Sequence, residues 1–167
     1  MAGERGQSLV ETALVLPVML MLLVGVADLA IVYASMITIE SGAREAADWG
    51  AYRPGNWDAA AQPTTVGEME RRSCTPARSL TGYAGAADGS DCTNPTFACD
   101  VYLPDNALWV ACDDVAASAC NLPERLGPSA IPCKVRVRLT YTFSPLVLPP
   151  ITFTQSSVFN VADAPTT

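Results

Sequence analysis

The sequence predicts an α+β protein, in which a long N-terminal membrane-spanning helix precedes a small disulfide-rich head with an antiparallel β-sheet. Three observations lead to this fold class. Apolar residues fill 24 of the 31 positions in residues 9–39. All six cysteines follow that segment, from Cys74 to Cys133. Residues 134–143 alternate between apolar and polar side chains, which is the period of a strand with one buried face.

The apolar segment is long enough to cross a bilayer, which takes about 20 residues. In lipid it must be helical, because a helix satisfies its own backbone polar groups. Glu40, Arg44 and Asp48 then follow at spacings of four residues, which continues the helix with opposite charges in adjacent turns. The first strong stop signal is the Arg-Pro-Gly run at 53–55. We therefore predict one helix over residues 8–50, with its first half in the membrane.

Charge and cysteines give the orientation. Arg5 precedes the span, and no lysine or arginine occurs in residues 6–43. The cysteines all follow the span, where an oxidising compartment would suit them. We expect the N-terminus to be cytoplasmic and the C-terminal part to lie outside the inner membrane.

Three features distinguish this helix from a plain anchor. Glu11 stands at the inner edge of the apolar run, and Asp28 lies within the run or near its outer end. A carboxylate at the bilayer centre costs about 2.5–3.5 kcal/mol. Small residues form a stripe suited to close packing between helices: Ala27, Ala30, Ala34 and Ser41. A helix that packs among copies of itself could use all three features.

The cysteines lie in residues 51–133, which we interpret as an irregular head with a connector at 52–62 and a short helix at 64–72. No CxxC occurs and the chain has no histidine, so a zinc or redox site is disfavoured. We expect three disulfides, with the pairing open among 15 combinations and buried free thiols as the alternative. The cysteines are Cys74, Cys92, Cys99, Cys112, Cys120 and Cys133.

Residues 134–167 are predicted to form an antiparallel hairpin and a polar tail. The first strand covers 134–143, three prolines make 144–150 a loop, and 151–161 returns as the second strand. We expect the apolar face to pack on the outer half of the helix, with a further strand or the helix covering it, because a lone hairpin is marginal.

The outward face of the first strand carries a basic row, Lys134, Arg136 and Arg138. Residues 79–133 carry seven acidic residues and one arginine. One interpretation is a solvated strand beside a solvated loop region. The other is a contact in which the basic row of one subunit meets the acidic head of another.

The sequence resembles, at its two ends, the TadE-like proteins of tight-adherence pilus systems, a branch of the type IV pilin superfamily. The resemblance is carried by five segments: 5–11 (RGQSLVE), 13–17 (ALVLP), 25–28 (GVAD), 43–47 (AREAA) and 135–146 (VRVRLTYTFSPL). It implies that residues 1–6 are a leader, that a prepilin peptidase cuts between Gly6 and Gln7, and that Glu11 pairs with the freed amine of Gln7, on a neighbouring subunit. It further implies that residues 7–50 are the assembly helix of a structural subunit.

The expected function is that of a pilin or pilin-like subunit in an extracellular filament, with a role in surface attachment. Its implied partners are other pilin subunits, the inner membrane before assembly, the prepilin peptidase and the pilus assembly machinery. Two alternatives stay open: an uncleaved bitopic assembly factor of the secretion machine, and an unrelated membrane-anchored binding module.

Catalysis is not expected. Without histidine there is no Ser-His or Cys-His pair, and no Gly-rich phosphate loop or metal-ligand spacing occurs. We therefore predict no catalytic, cofactor or metal site. A formal net charge of −7 with no basic run argues against nucleic acid as a partner.

Overall fold

The structure, a computed structural model, describes residues 4–52, 65–105, 107–115, 119–120, 131–146 and 148–161, without the side chains of residues 4–8. Within these described residues two α-helices and four strands follow one another, with 3-10 turns at Pro76–Ser79 and Cys112–Asp114. The elements are α1 (Glu4–Ala51), α2 (Thr65–Cys74), β1 (Thr96–Leu103), β2 (Leu108–Ala111), β3 (Lys134–Phe143) and β4 (Ile151–Asn160). The predicted fold class, α+β with an antiparallel sheet, is confirmed.

Helix α1 is continuous over 48 residues, so the single long helix predicted at 8–50 is confirmed. Its length is about 70 Å at 1.5 Å per residue. Pro17 lies inside it without ending it. A proline inside a membrane helix is tolerated where neighbouring groups satisfy the freed backbone carbonyl.

The sheet has four antiparallel strands in the order β2-β1-β3-β4. The predicted hairpin is its β3–β4 pair, in which Lys134 faces Asn160 and Phe143 faces Ile151. The interpretation of 51–133 as irregular is wrong for β1 and β2, which lie inside that segment. These two strands provide the further cover that the hairpin needs.

One face of the sheet packs on the outer part of α1 and forms the core. The inward residues of β3 are fully or almost fully buried, and so is Val101 of β1. On α1 the buried positions recur every three or four residues, which places them on one side of the helix. The shared core includes Ile39, Ala43, Ala46 and Ala47 from α1 and Val135, Val137, Leu139, Tyr141 and Phe143 from β3. The predicted packing of the hairpin on the outer half of the helix is confirmed.

Helix α2 lies close against α1, and glycine makes this approach feasible. A Cβ atom at Gly42 would overlap the carbonyl oxygen of Ser73, and one at Gly50 would overlap the sulfur of Met69. Both partners are fully buried. Because the Ser73 oxygen belongs to a helix backbone, it cannot rotate away as the Met69 side chain can.

All six cysteines pair with their neighbours in sequence. Cys74–Cys92 joins the end of α2 to the segment before β1, Cys99–Cys112 joins β1 to the end of β2, and Cys120–Cys133 leads into β3. Their Cα–Cα distances of 6.3, 5.4 and 5.8 Å lie in the normal range for disulfides. The expectation of three disulfides is confirmed, and the pairing that the sequence left open is sequential.

Two glutamates of α2 have opposite electrostatic surroundings. Glu68 accepts hydrogen bonds from Arg71 at 2.6 Å and from Arg72 at 2.8 Å, and the Arg71 guanidinium lowers its pKa below the usual value. Glu70 is more buried and accepts the backbone N–H of Cys92 at 3.1 Å. Burial raises the pKa of Glu70, and the negative charges of the nearby Asp91 and Asp113 raise it further.

We expect Gly42→Ala to destabilise the head, because the added methyl group must push α2 away from α1. Overpacking of this kind costs about 1–3 kcal/mol. Gly25→Ala is the matched control, since a Cβ at Gly25 meets nothing within 4 Å. Thermal unfolding of the full chain in detergent measures both. Equal stability of the two variants would contradict the close packing of α2.

The opposite pKa shifts of Glu68 and Glu70 predict opposite contributions to the pH dependence of stability. The lowered pKa of Glu68 means that its ionised form stabilises the fold above the unfolded value near 4.5, and that this contribution is lost as the pH falls through the folded pKa. The raised pKa of Glu70 means that its ionisation costs stability at neutral pH, and that acidification relieves this cost.

Relative to the parent, Glu68→Gln should be less stable at neutral pH and lose less stability on acidification. Glu70→Gln should lose more stability on acidification. Unfolding temperatures measured by circular dichroism from about pH 7 to about pH 3 test both. Parallel curves for the two variants would contradict the assignment.

Candidate assembly surface

The first half of α1 projects beyond the head. Every residue in 9–27 is exposed except Gly25, which is half-exposed. Within Leu9–Ala51 an 18-residue window has a mean hydropathy of 2.6. This helix is therefore long and apolar enough to cross a membrane. Contiguous apolar surface of this size marks a site that lipid or other helices cover.

Glu11 lies on this exposed half, on the same face as Val15 and Met19. Among the described residues the structure gives Glu11 no ion pair. A carboxylate carried into lipid or a helix bundle is strongly disfavoured unless a cation joins it. Glu11 is therefore accessible to an amine on another chain, as the predicted pairing requires.

The predicted stripe of small residues lies on the exposed side of α1. Ala27, Ala30, Ala34 and Ser41 are all exposed, whereas the head covers the side of the helix that carries Val32, Ser35 and Ile39. Small side chains let helix backbones approach closely. The stripe thus faces away from the head, where a second helix could reach it.

Asp28 is in a different situation from Glu11, because the chain's own head covers it. Only 2% of its surface is exposed, and its Oδ1 accepts the backbone N–H of Leu146 at 3.4 Å. Leu146 belongs to the loop between β3 and β4. From Leu9 onward Asp28 is the first buried position along α1, so the contact with this loop marks where the head begins.

Next to this loop, Asn94 makes a contact that the sequence did not indicate. Its side-chain amide donates to the carbonyls of Gly82 and Thr142 at 2.7 and 2.9 Å, and its Oδ1 accepts the N–H of Thr142 at 2.9 Å. These bonds tie the turn at Gly82 to the last residues of β3. Asn94 therefore supports the end of the sheet from which the β3–β4 loop emerges.

The basic row on β3 is partly neutralised within the chain. Arg136 and Arg138 both bind the Asp100 carboxylate of β1, at 2.9 and 3.0 Å. Arg136 also stacks over the ring of Trp109 at 4.2 Å, and Lys134 lies 5.9 Å from the ring of Tyr102. Two of the three cations thus share one carboxylate, and the contact between subunits proposed for this row stays a prediction.

The predicted leader overlaps the start of α1. Gly6 and Gln7 lie in its first turns, and residues 1–3 fall outside the described residues. The expected polar tail at 163–167 and most of the connector at 52–62 are also outside them. In the described part of the chain, no group of three or more Cys, Asp or Glu side chains could hold a metal ion.

Comparison with known protein families gives a match to part of the chain. The family model described as TadE-like protein matches residues 6–48, which cover the apolar half of α1 and most of its outer half. The resemblance inferred from the sequence is thereby confirmed for this segment, and it suggests a protein associated with the tight-adherence pilus. No curated protein and no solved structure matches the chain significantly.

Removal of the Asp28 carboxylate should loosen the β3–β4 loop. In Asp28→Ala the N–H of Leu146 loses this acceptor, at a cost of about 1 kcal/mol. We expect faster hydrogen exchange at Leu146 and unchanged exchange in α2. Asp48→Ala, which removes an exposed carboxylate of the same helix, is the control. Unaltered exchange at Leu146 in Asp28→Ala would argue against the contact.

Proposed function

We propose that this chain is a structural pilin or pilin-like subunit of an extracellular tight-adherence pilus, assembled through α1 and with a role in surface attachment. The observation that carries the proposal is the division of α1. Residues 9–27 are apolar and exposed, whereas the head packs on the helix from Asp28 onward. Such a helix can be held first by a membrane and then by neighbouring helices, without any change in the head.

The TadE-like match to 6–48 supports the proposal, because it falls on the part of α1 that would mediate assembly. In the proposed pathway, the helix first lies in the inner membrane with its N-terminus in the cytoplasm. A prepilin peptidase cuts between Gly6 and Gln7, and the assembly machinery then transfers the subunit into the filament. The role is assembly and requires no catalysis or cofactor.

Glu11 would guide this transfer. Its carboxylate would pair with the new amino group of Gln7 on a neighbouring subunit, so that both charges enter the apolar helix bundle together. The disulfide-linked head would face outward. There the sheet and its three disulfides would resist unfolding and present the attachment surface.

A second candidate is an uncleaved assembly factor of the secretion machine. One observation favours it: α1 runs without a break from Glu4 through Gly6 and Gln7, so the bond to be cut lies inside a helix. In this case the chain would stay in the membrane with its leader attached.

Glu11→Ala tests the first proposal, with Glu40→Ala as the matched control. Glu40 is a carboxylate on the outer half of α1 and pairs with Arg44 at 2.7 Å. Loss of Glu11 would leave the partner amine unpaired in an apolar bundle, at about 2.5–3.5 kcal/mol. We expect incorporation into filaments to fall by about two orders of magnitude, with membrane levels unchanged. Glu40→Ala should assemble normally.

Immunogold electron microscopy of shed filaments measures incorporation, and N-terminal sequencing of the filament fraction identifies the first residue. Gln7 as the first residue agrees with the pilin role. An intact leader, together with normal function of Glu11→Ala, would overturn it and favour the assembly factor.

A further inference from the structure

The loop between β3 and β4 is unusually apolar for a connection between strands. Residues 144–150 comprise one serine, three prolines and three aliphatic residues, with no charge. Leu146 is 89% exposed and Leu148 is 37% exposed. Turns and loops are ordinarily built from polar residues, glycine and proline. The two exposed leucines give this loop an apolar surface that lipid or another protein would cover.

The position of this loop along α1 indicates which partner. Leu9 and Asp28 are separated by 19 residues of helix, which is about 28 Å. The hydrocarbon core of a bilayer is about 30 Å thick. Because the N–H of Leu146 binds the Asp28 carboxylate, the loop lies at the level where the part of the apolar helix that is exposed on all sides ends. With α1 in a membrane, the exposed leucines are therefore at the outer surface of that membrane.

The chemistry of the loop suits this depth. Prolines have no N–H, so Pro145, Pro149 and Pro150 add no donors that would lack a partner near lipid. The β3 and β4 ends next to the loop are bonded to each other, and Thr142 is also bonded to Asn94. Tyr33, which is 68% exposed, lies about 8 Å further out along α1. Tyrosine is enriched at this level of membrane proteins.

We infer that the β3–β4 loop is a second membrane contact, which inserts Leu146 and Leu148 into the outer surface of the bilayer while α1 spans it. The helix alone would leave the head free to rotate and tilt. A second point of contact beside the helix fixes which side of the head faces the membrane. The inference rests on the membrane-anchored stage of the proposed function.

Photocrosslinking in vesicles tests the inference on the full chain. The photoreactive residue p-benzoylphenylalanine replaces Leu146 in the loop, Leu20 in the apolar half of α1, or Val158 on β4. Val158 is the matched control, because it is 47% exposed and apolar but lies about 23 Å along the strand from Ile151. Each variant is reconstituted into phosphatidylethanolamine and phosphatidylglycerol vesicles, irradiated and analysed by mass spectrometry for lipid adducts.

We expect lipid adducts at positions 20 and 146, with about tenfold more at 146 than at 158, since burial of a large apolar side chain in lipid favours position 146 by at least this factor. Adducts at 20 but not at 146 would overturn the inference and leave the membrane anchor intact. Equal yields at 146 and 158 would overturn it as well, as would adducts at 146 to a second copy of the chain instead of lipid. Absence of lipid adducts at all three positions would also remove the anchored stage on which the inference rests.

Discussion

The structure depends on one constraint: a single continuous helix must suit two different surroundings along its length. From Leu9 to Ala27 the helix is exposed on all sides. From Asp28 onward one side of the helix is buried and forms part of the protein core. A helix that is apolar all round requires lipid or other helices, whereas an amphipathic one requires a globular partner. The contact between Asp28 and the N–H of Leu146 lies at the boundary between the exposed apolar half of the helix and its amphipathic half.

The composition of the outer half follows from that constraint. The sheet and α2 must both approach α1 closely to bury enough surface for a small head, so the buried positions of the helix are mostly alanine and glycine. Gly42 and Gly50 admit α2, and Ala43, Ala46 and Ala47 contribute to the core shared with the sheet. Such small residues each bury little apolar area. The disulfides therefore contribute part of the stability that a larger core would give.

The long helix could be predicted because its apolar run is long, and the β3–β4 hairpin because its alternating pattern is long. Strands β1 and β2 could not. In β1 the inward residues Phe97, Cys99 and Val101 do alternate, but an alanine and a tyrosine on the outward face weaken the contrast. Strand β2 has four residues, all apolar, and so carries no period. At the candidate surface, the apolar run and Glu11 were visible in sequence, whereas the partner of Asp28 lies 118 residues away and only the fold brings it near.

The same division explains how assembly could proceed without cost to the head. None of the side chains in residues 9–27 is buried in the core, so their transfer from lipid to a helix bundle breaks no contact of that core. On the proposed pathway, what would change is the environment of Glu11 and of the β3–β4 loop. On the proposed pathway both lose their membrane surroundings in the same step, one at each end of the apolar segment. The assembly machinery must then supply the free energy that moves Glu11, the β3–β4 loop and the apolar helix between them out of the bilayer. The folded head keeps its own contacts throughout.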